Sequence, residues 1–417
     1  MEFVQLTETQ FMEYEQTHAL GMFMQTSYQK QLVSKRGWTS EYVGVLENNV
    51  VVAAGLLNST NIFLGKLYEL SGGPILDYRN SELLQFFIKE VKAYAKKRKG
   101  LVLRIIPNLH DAVYDEEGNL VKELNAEAKQ NLLQAGARYE QAQPVTDDHY
   151  SPVSLSFEFI KTLQEKDEQS LIQSYNKNGK YYLTKTKEFG IHYRELGYEE
   201  LPLFKQYTAE TSARIGFKDK DLAYYQEAYR AYGDQVKYLI AELDLVEYQS
   251  NQQMIIQNIT QELTKLEAEL VATPNHKKKK NRAKELKAQI EQHQKRVAEA
   301  EEMRTANEQS VIILAGGMFI IQPQEITYLF SFTNEAFKKF YAPYGIQHKM
   351  MLEAIERGIP QYNFYGVKGV FDGSDGVLRF KQSFGGYTYR YLGIFTFIVN
   401  PVKEKVANAI KQLLRRN

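Results

Sequence analysis

The same order of apolar runs occurs twice in this chain, and that repetition constrains the fold more than any single motif. In the first copy Tyr42 to Leu46 and Val50 to Leu57 are rich in β-formers and are joined by Glu47-Asn48-Asn49, a turn sequence suited to a hairpin. A third run, Lys66 to Leu70, precedes Ser81 to Lys97, where apolar residues recur at helical spacing. Gly100 closes that helix ahead of the strand-like Leu101 to Ile106. The second copy starts at Val236 to Leu243, resumes at Val311 to Ile321 and Ile326 to Phe332, and continues with a helix near Gln347 to Arg357 and a strand near Tyr362 to Val367. Two copies of one mixed α/β unit, each a twisted sheet flanked by helices, account for this order. The chain divides on this reading into a first lobe over 1–150 and a second over 151–243 and 310–417.

The copies differ at one hairpin. Three residues bridge it in the first, whereas the second spends roughly 65, from about Asp244 to Gln309, and a stretch that long requires structure of its own. Ile256, Ile259, Leu263, Leu266 and Leu270 step by three and four, and Ala283, Leu286, Ile290, His293, Val297 and Ala300 resume the same steps. Thr273-Pro274-Asn275 breaks the pattern between them, so residues 244–309 are expected to form an antiparallel coiled-coil arm. His293 falls on the seam, where a packed or partly wet side chain is expected rather than a metal ligand.

Composition removes several chemistries. The 417 residues contain no cysteine, which excludes a thiolate nucleophile, a disulfide and a cysteine-ligated metal centre, and no other pattern requires a metal or a cofactor. Formal net charge is +1, so any polyanion must be met by a local patch. The start, MEFVQLTETQFMEYEQ, is acidic where a signal peptide is basic, and no run reaches the ~20 apolar residues of a membrane span; a cytoplasmic protein is expected.

Three tracts carry a family pattern. Tyr362-Asn363-Phe364-Tyr365-Gly366-Val367-Lys368-Gly369, followed by Phe380-Lys381 and Phe384-Gly385, resembles the C-terminal signature of the FemABX family. Gly73-Pro74-Ile75-Leu76-Asp77-Tyr78 resembles a tract of its first half. Glu210-Thr211-Ser212-Ala213-Arg214-Ile215-Gly216-Phe217, ahead of Tyr224-Tyr225, is similar to a third, and the matches in this order span nearly the whole chain. The resemblance implies two GNAT-like acyltransferase lobes carrying the coiled-coil arm. It also implies a reaction in which an amine on the stem peptide of lipid II, or a related peptidoglycan precursor, attacks the ester of aminoacyl-tRNA. The ester is already activated, so such an enzyme has mainly to position two substrates and stabilise the charge that develops on the carbonyl oxygen.

Site residues follow from the same resemblance. Lys381 occupies the place of a lysine that stabilises the oxyanion, with Phe380 beside it. Arg214, with Lys35 or Arg36 ahead of Trp38, is similar to the cations that grip the precursor's pyrophosphate, a role suited to an arginine fork and a compact ammonium. Where the family often has an aspartate before proline, the sequence reads Ile106-Pro107, and an isoleucine takes no proton. His110, Asp111, water or the substrate's own groups then remain as acceptors. Lys277, Lys278, Lys279 and Lys280 fall at the bend of the arm, where they suit tRNA phosphates or simply face solvent. Pro401 to Asn417 reads as a basic amphipathic helix that docks on its own domain or rests at the inner face of a membrane. Two other readings stay open: an acyl-CoA-dependent N-acyltransferase, whose phosphate-cradling glycine loop is not evident, and an inactive paralogue or coiled-coil adaptor.

Overall fold

A computed structural model describes residues 1–145, 155–216, 219–307 and 309–414. Asn48 and Asn49 both take positive φ, 50° and 63°, which two-residue hairpin turns demand and asparagine tolerates. The flanking strands Thr39–Glu47 and Val50–Ile62 therefore pair in register, and Gly65–Ser71 extends the meander. Asn80 then accepts from the Leu83 amide at 3.0 Å and starts helix Ser81–Lys97, which returns the chain so that Gly100–Ile106 pairs parallel to Gly65–Ser71. Leu84, Phe87 and Val91 of this helix pack on Val45, Leu57, Leu70 and Leu103 of the sheet. The second copy repeats the unit. Val236–Asp244, Val311–Ile321 and Glu325–Thr333 form the meander, helix Ala342–Glu356 crosses over, and Gln361–Val367 pairs parallel to Glu325–Thr333.

The sheets exchange strands, which pattern along the chain does not reveal. The seven-stranded first sheet takes Ile394–Ile398 from the C-terminal region between Gly100–Ile106 and Arg138–Glu140, and Phe395 and Phe397 enter the first core. The nine-stranded second sheet takes His110–Tyr114 and Leu120–Glu123 beside Tyr387–Tyr391. Sheet membership thus crosses the division at 150 read from the sequence, because the non-local pairing of short strands is decided by packing. Only Leu392 and Gly393 separate Tyr387–Tyr391 from Ile394–Ile398; Gly393 has φ 114°, and a Cβ there would stand 2.4 Å from the Glu140 carbonyl oxygen.

The lobes also meet through the N-terminal helix Glu8–Thr17, opened by a capping box of Thr7 and Gln10. Gln324 Nε2 donates to the carbonyls of Glu15, Gln16 and His18, and Gln322 Nε2 donates to Glu15 Oε1 at 3.1 Å. The Glu15 carboxyl is fully buried there.

The arm is two helices, Leu245–Ala272 and Lys277–Ala306, roughly 40 Å long at 1.5 Å per residue. Asp244 caps the first through the Val246 and Glu247 amides. Leu263, Ala283 and Leu286 form its seam, flanked by Ile259, Leu266, Leu270 and Ile290, and pairs such as Arg282–Glu262 (2.8 Å) and Lys287–Glu267 (2.8 Å) cross between the helices. Leu245, Tyr248 and Ala300 at its base join the core of the second lobe. His293 is half-buried and shares a 2.7 Å hydrogen bond with Gln252. The C-terminal helix runs Pro401–Leu414; Arg415, Arg416 and Asn417 lie outside the described residues. Among the described residues no helix is long and apolar enough to cross a membrane.

Candidate active site

One parallel strand pair is closed and the other is open. In the first lobe Gly65–Ser71 and Gly100–Ile106 stay paired from Lys66↔Gly100 to Ser71↔Ile106. In the second lobe Glu325–Thr333 and Gln361–Val367 pair only at Glu325↔Gln361, Ile326↔Tyr362 and Thr327↔Asn363, and then part. On its other side Gln361–Val367 bulges against Phe157–Thr162 between Asn363 and Gly366, with Tyr365 at φ 64°. Asn363 holds this shape, because its Oδ1 accepts from the Tyr365 amide at 2.8 Å.

The bulge turns two carbonyls toward Lys381. Asp375 caps the short helix Gly376–Gln382 through the Val377 and Leu378 amides, and the helix carries Lys381 inward until its Nζ donates to Gly366 O at 2.6 Å and Tyr365 O at 3.1 Å. Lys381 is 4% exposed, so the solvated state common for a lysine in a polar tract does not apply. Burial pulls its pKa down to about 7, although Asp375 and Glu158 favour the charged form. Phe380 is half-buried among Tyr344, at 5.1 Å, and Phe384, at 5.4 Å between ring centres.

A carboxylate cluster adjoins the bulge across the sheet. Glu158 lies opposite Gly366 in register and is 1% exposed; it meets His110 Nε2 at 2.6 Å and accepts from Tyr391 OH at 2.7 Å and Asn363 Nδ2 at 2.9 Å. Burial works against its charge, but the bonds from His110, Tyr391 and Asn363 outweigh it and hold the carboxyl below the usual range. The same Asn363 amide donates to Glu325, whose pKa burial and the neighbouring Glu158 charge push up to about 7. The His110 ring lies between Tyr389 and Tyr391, at 5.0 and 4.8 Å. Asp111, the other candidate acceptor, is held by Arg390 at 2.6 and 3.1 Å. Ile106 lines a small cavity with Tyr391, Gly393 and Ile394. The position where an aspartate is common thus borders the cluster, and carboxylates reach the cluster from other strands.

Sequence alone does not single out Glu158, Glu325 or Tyr391, and Asn363 enters there only as part of a motif. The available signal is Phe157-Glu158-Phe159-Ile160, a lone acid inside an apolar strand, which must find partners to be buried. Gly385 of the Phe384-Gly385 motif is structural: it has φ 69°, and a Cβ would stand 2.4 Å from Ser174 O. Lys161 secures the same loop, donating to Phe384 O and Ser174 Oγ, both at 2.7 Å.

The other expected site residues meet other partners. The Arg36 guanidinium sits 5.1 Å from the Tyr224 ring, which packs on Phe330 at 5.6 Å, while Lys35 is exposed and Trp38 half-buried. Arg214, 44% exposed near the end of helix Leu201–Ile215, pairs with Glu335 at 3.7 Å; Phe217 of its motif lies outside the described residues. Tyr224, the partner of Arg36, thus packs on strand Glu325–Thr333, and Glu335, the partner of Arg214, lies just beyond its end. Lys277, Lys278 and Lys280 are exposed at the tip of the arm, and Lys279 pairs with Glu269 at 2.9 Å.

The fold is two copies of one α/β unit, the second opened beside the buried Lys381. The FemAB family model matches residues 6–412. Aminoacyltransferase FemA of Staphylococcus epidermidis is 28% identical over 420 residues, covering 99% of this chain and 100% of that protein; its Staphylococcus aureus counterpart is 28% identical over 430 residues with both chains fully covered. The crystal structure of FemX superposes with a TM-score of 0.80 at 21% identity over 98% of this chain and 100% of that one. The chain belongs to the FemAB family.

Proposed function

We propose that the protein is an aminoacyltransferase that moves an amino acid from aminoacyl-tRNA to the stem-peptide amine of a peptidoglycan precursor such as lipid II, building an interpeptide branch at the cytoplasmic side of the membrane. The family match from residue 6 to residue 412 carries this reading. In the reaction the amine nitrogen bonds to the ester carbon, the ester C–O bond breaks, and the proton lost by the amine is balanced by one gained on the tRNA hydroxyl. An ammonium has three N–H donors, and Lys381 spends two on Tyr365 and Gly366, leaving the third for the carbonyl oxygen as it becomes negative. The neutral amine has two donors only, so this role needs Lys381 protonated. The His110–Glu158 pair is the acceptor that the geometry favours for the amine's proton, since Glu158 fixes the ring through Nε2.

Arg214 and Arg36, with Lys35 and Trp38, serve the precursor's pyrophosphate, and the arm's tip serves tRNA. Four lysines in the first turn of helix Lys277–Ala306 oppose the helix dipole, an arrangement that an anionic partner relieves. The two assignments predict a crossed pattern. Arg214→Ala should raise KM for the precursor several-fold and leave KM for aminoacyl-tRNA unchanged. Replacing Lys277, Lys278, Lys279 and Lys280 by Gln should do the reverse and flatten the salt dependence. Steady-state kinetics with each substrate varied in turn reads this out, and equal losses for both substrates would remove the assignments.

A further inference from the structure

The hairpin between Val50–Ile62 and Gly65–Ser71 ends in three consecutive exposed apolar residues, Ile62, Phe63 and Leu64, which are 36%, 46% and 42% exposed. A tip that only turns the chain is ordinarily polar, and Leu64 sits at φ 64°, where asparagine or glycine is less strained. Lys66 N donates to Lys99 O at 2.9 Å, so the tip abuts the end of helix Ser81–Lys97 and its exposed run Lys96-Lys97-Arg98-Lys99. Two residues on, Leu101 O accepts from Val399 N and Asn400 N, at 3.1 and 3.3 Å. Helix Pro401–Leu414 therefore starts at the same corner, with Val402 and Val406 73% and 48% exposed one turn apart and Lys403 and Lys405 exposed between them. The acid among these segments, Glu404, pairs with Arg138 at 2.8 Å.

We propose that this corner of the first lobe docks on an anionic lipid surface, with the Phe63 tip among the headgroups and the surrounding lysines and arginine on their phosphates. Charge selects this occupant. The apolar residues are few, three at the tip and two on the helix, and exposed cations lie beside both groups; so small an apolar area does not make a stable protein interface, and a second copy would bring like charges together. Interfacial binding needs only a few inserted apolar side chains and several cations. Docking would hold the first lobe at the surface where a lipid-linked acceptor resides. That consequence rests on the proposed reaction; the binding itself does not.

Co-sedimentation of the full chain with phosphatidylglycerol–phosphatidylcholine vesicles, against phosphatidylcholine alone, tests it. The parent should bind the anionic vesicles, weaken with salt and ignore the neutral ones. Phe63→Ser with Leu64→Asn should lower the partition coefficient roughly ten-fold or more, and each of Lys96→Gln and Lys97→Gln about five-fold, with unchanged melting temperatures. A parent that does not sediment with anionic vesicles at low salt, or a tip variant that binds as the parent does, overturns the proposal. So does concentration-dependent dimerisation lost in the tip variant without vesicle binding, which assigns the corner to self-association. A chain that binds vesicles yet transfers no amino acid would instead remove the reaction.

Discussion

Lys381→Met should lower aminoacyl transfer by roughly 100-fold or more at saturating substrates, the usual loss when a donor to a developing oxyanion is removed. Methionine keeps an apolar stem in the buried site and takes away every donor. Because the Tyr365 and Gly366 carbonyls then lose their partner, the variant should also lose on the order of 1–3 kcal/mol of stability, and its melting temperature must be measured beside its rate. The pH profile separates the two effects. With its pKa lowered to about 7, Lys381 loses its charge as pH rises through neutrality, so the parent should show a falling limb there that the variant lacks. Stability moves the other way: a depressed lysine pKa favours the fold as pH rises from about 7 toward the ordinary value of 10.5. A folded Lys381→Met protein with parental turnover would refute the assignment.

Glu15→Gln should stabilise the protein, and increasingly so as pH rises. Burial pushes the Glu15 carboxyl from 4.5 up to about 8, against a smaller opposing effect from Gln322. A raised carboxyl pKa favours the fold in full below the ordinary carboxyl range, and that contribution is lost as pH climbs through about 8. Glu15 Oε2 and Gln322 Oε1 find no hydrogen-bond partner among the described residues, although Gln322 Nε2 already donates to Glu15 Oε1. One proton on Glu15 would close an acid–amide pair, and the glutamine of the variant would close an amide–amide pair at every pH. The gain above pH 8 should be on the order of 5 kcal/mol, the worth of that pKa displacement. Thermal melts of parent and variant between pH 5 and pH 9 measure it, and parallel curves would show that the carboxyl is not held neutral at the junction of the lobes.

Local signals in the sequence are legible and long-range ones are not. Ser81–Lys97 emerges with the bounds read from its periodicity because one apolar face and the Asn80 cap agree. The arm emerges because heptad spacing and Pro274 agree. The exchange of Ile394–Ile398 into the first sheet leaves no local trace, since Phe395 and Phe397 would suit either core. The site divides in the same way. Lys381 is legible through the motif, whereas its burial depends on a bulge that Asn363 shapes from another element. His110 is legible as a nearby acceptor, but Glu158, its partner at 2.6 Å, is 48 residues away along the chain. A hydrogen-bond network assembled from five strands has no spacing to read.

Transfer from charged tRNA to lipid II tests the central claim most directly. Purified protein incubated with lipid II and a panel of individually charged tRNAs, with the product read by mass, should give a stem peptide heavier by one aminoacyl residue from at least one tRNA, and none after the ester is hydrolysed beforehand. Unchanged lipid II with every charged tRNA, together with acyl transfer from an acyl-CoA donor to an amine, would contradict the account.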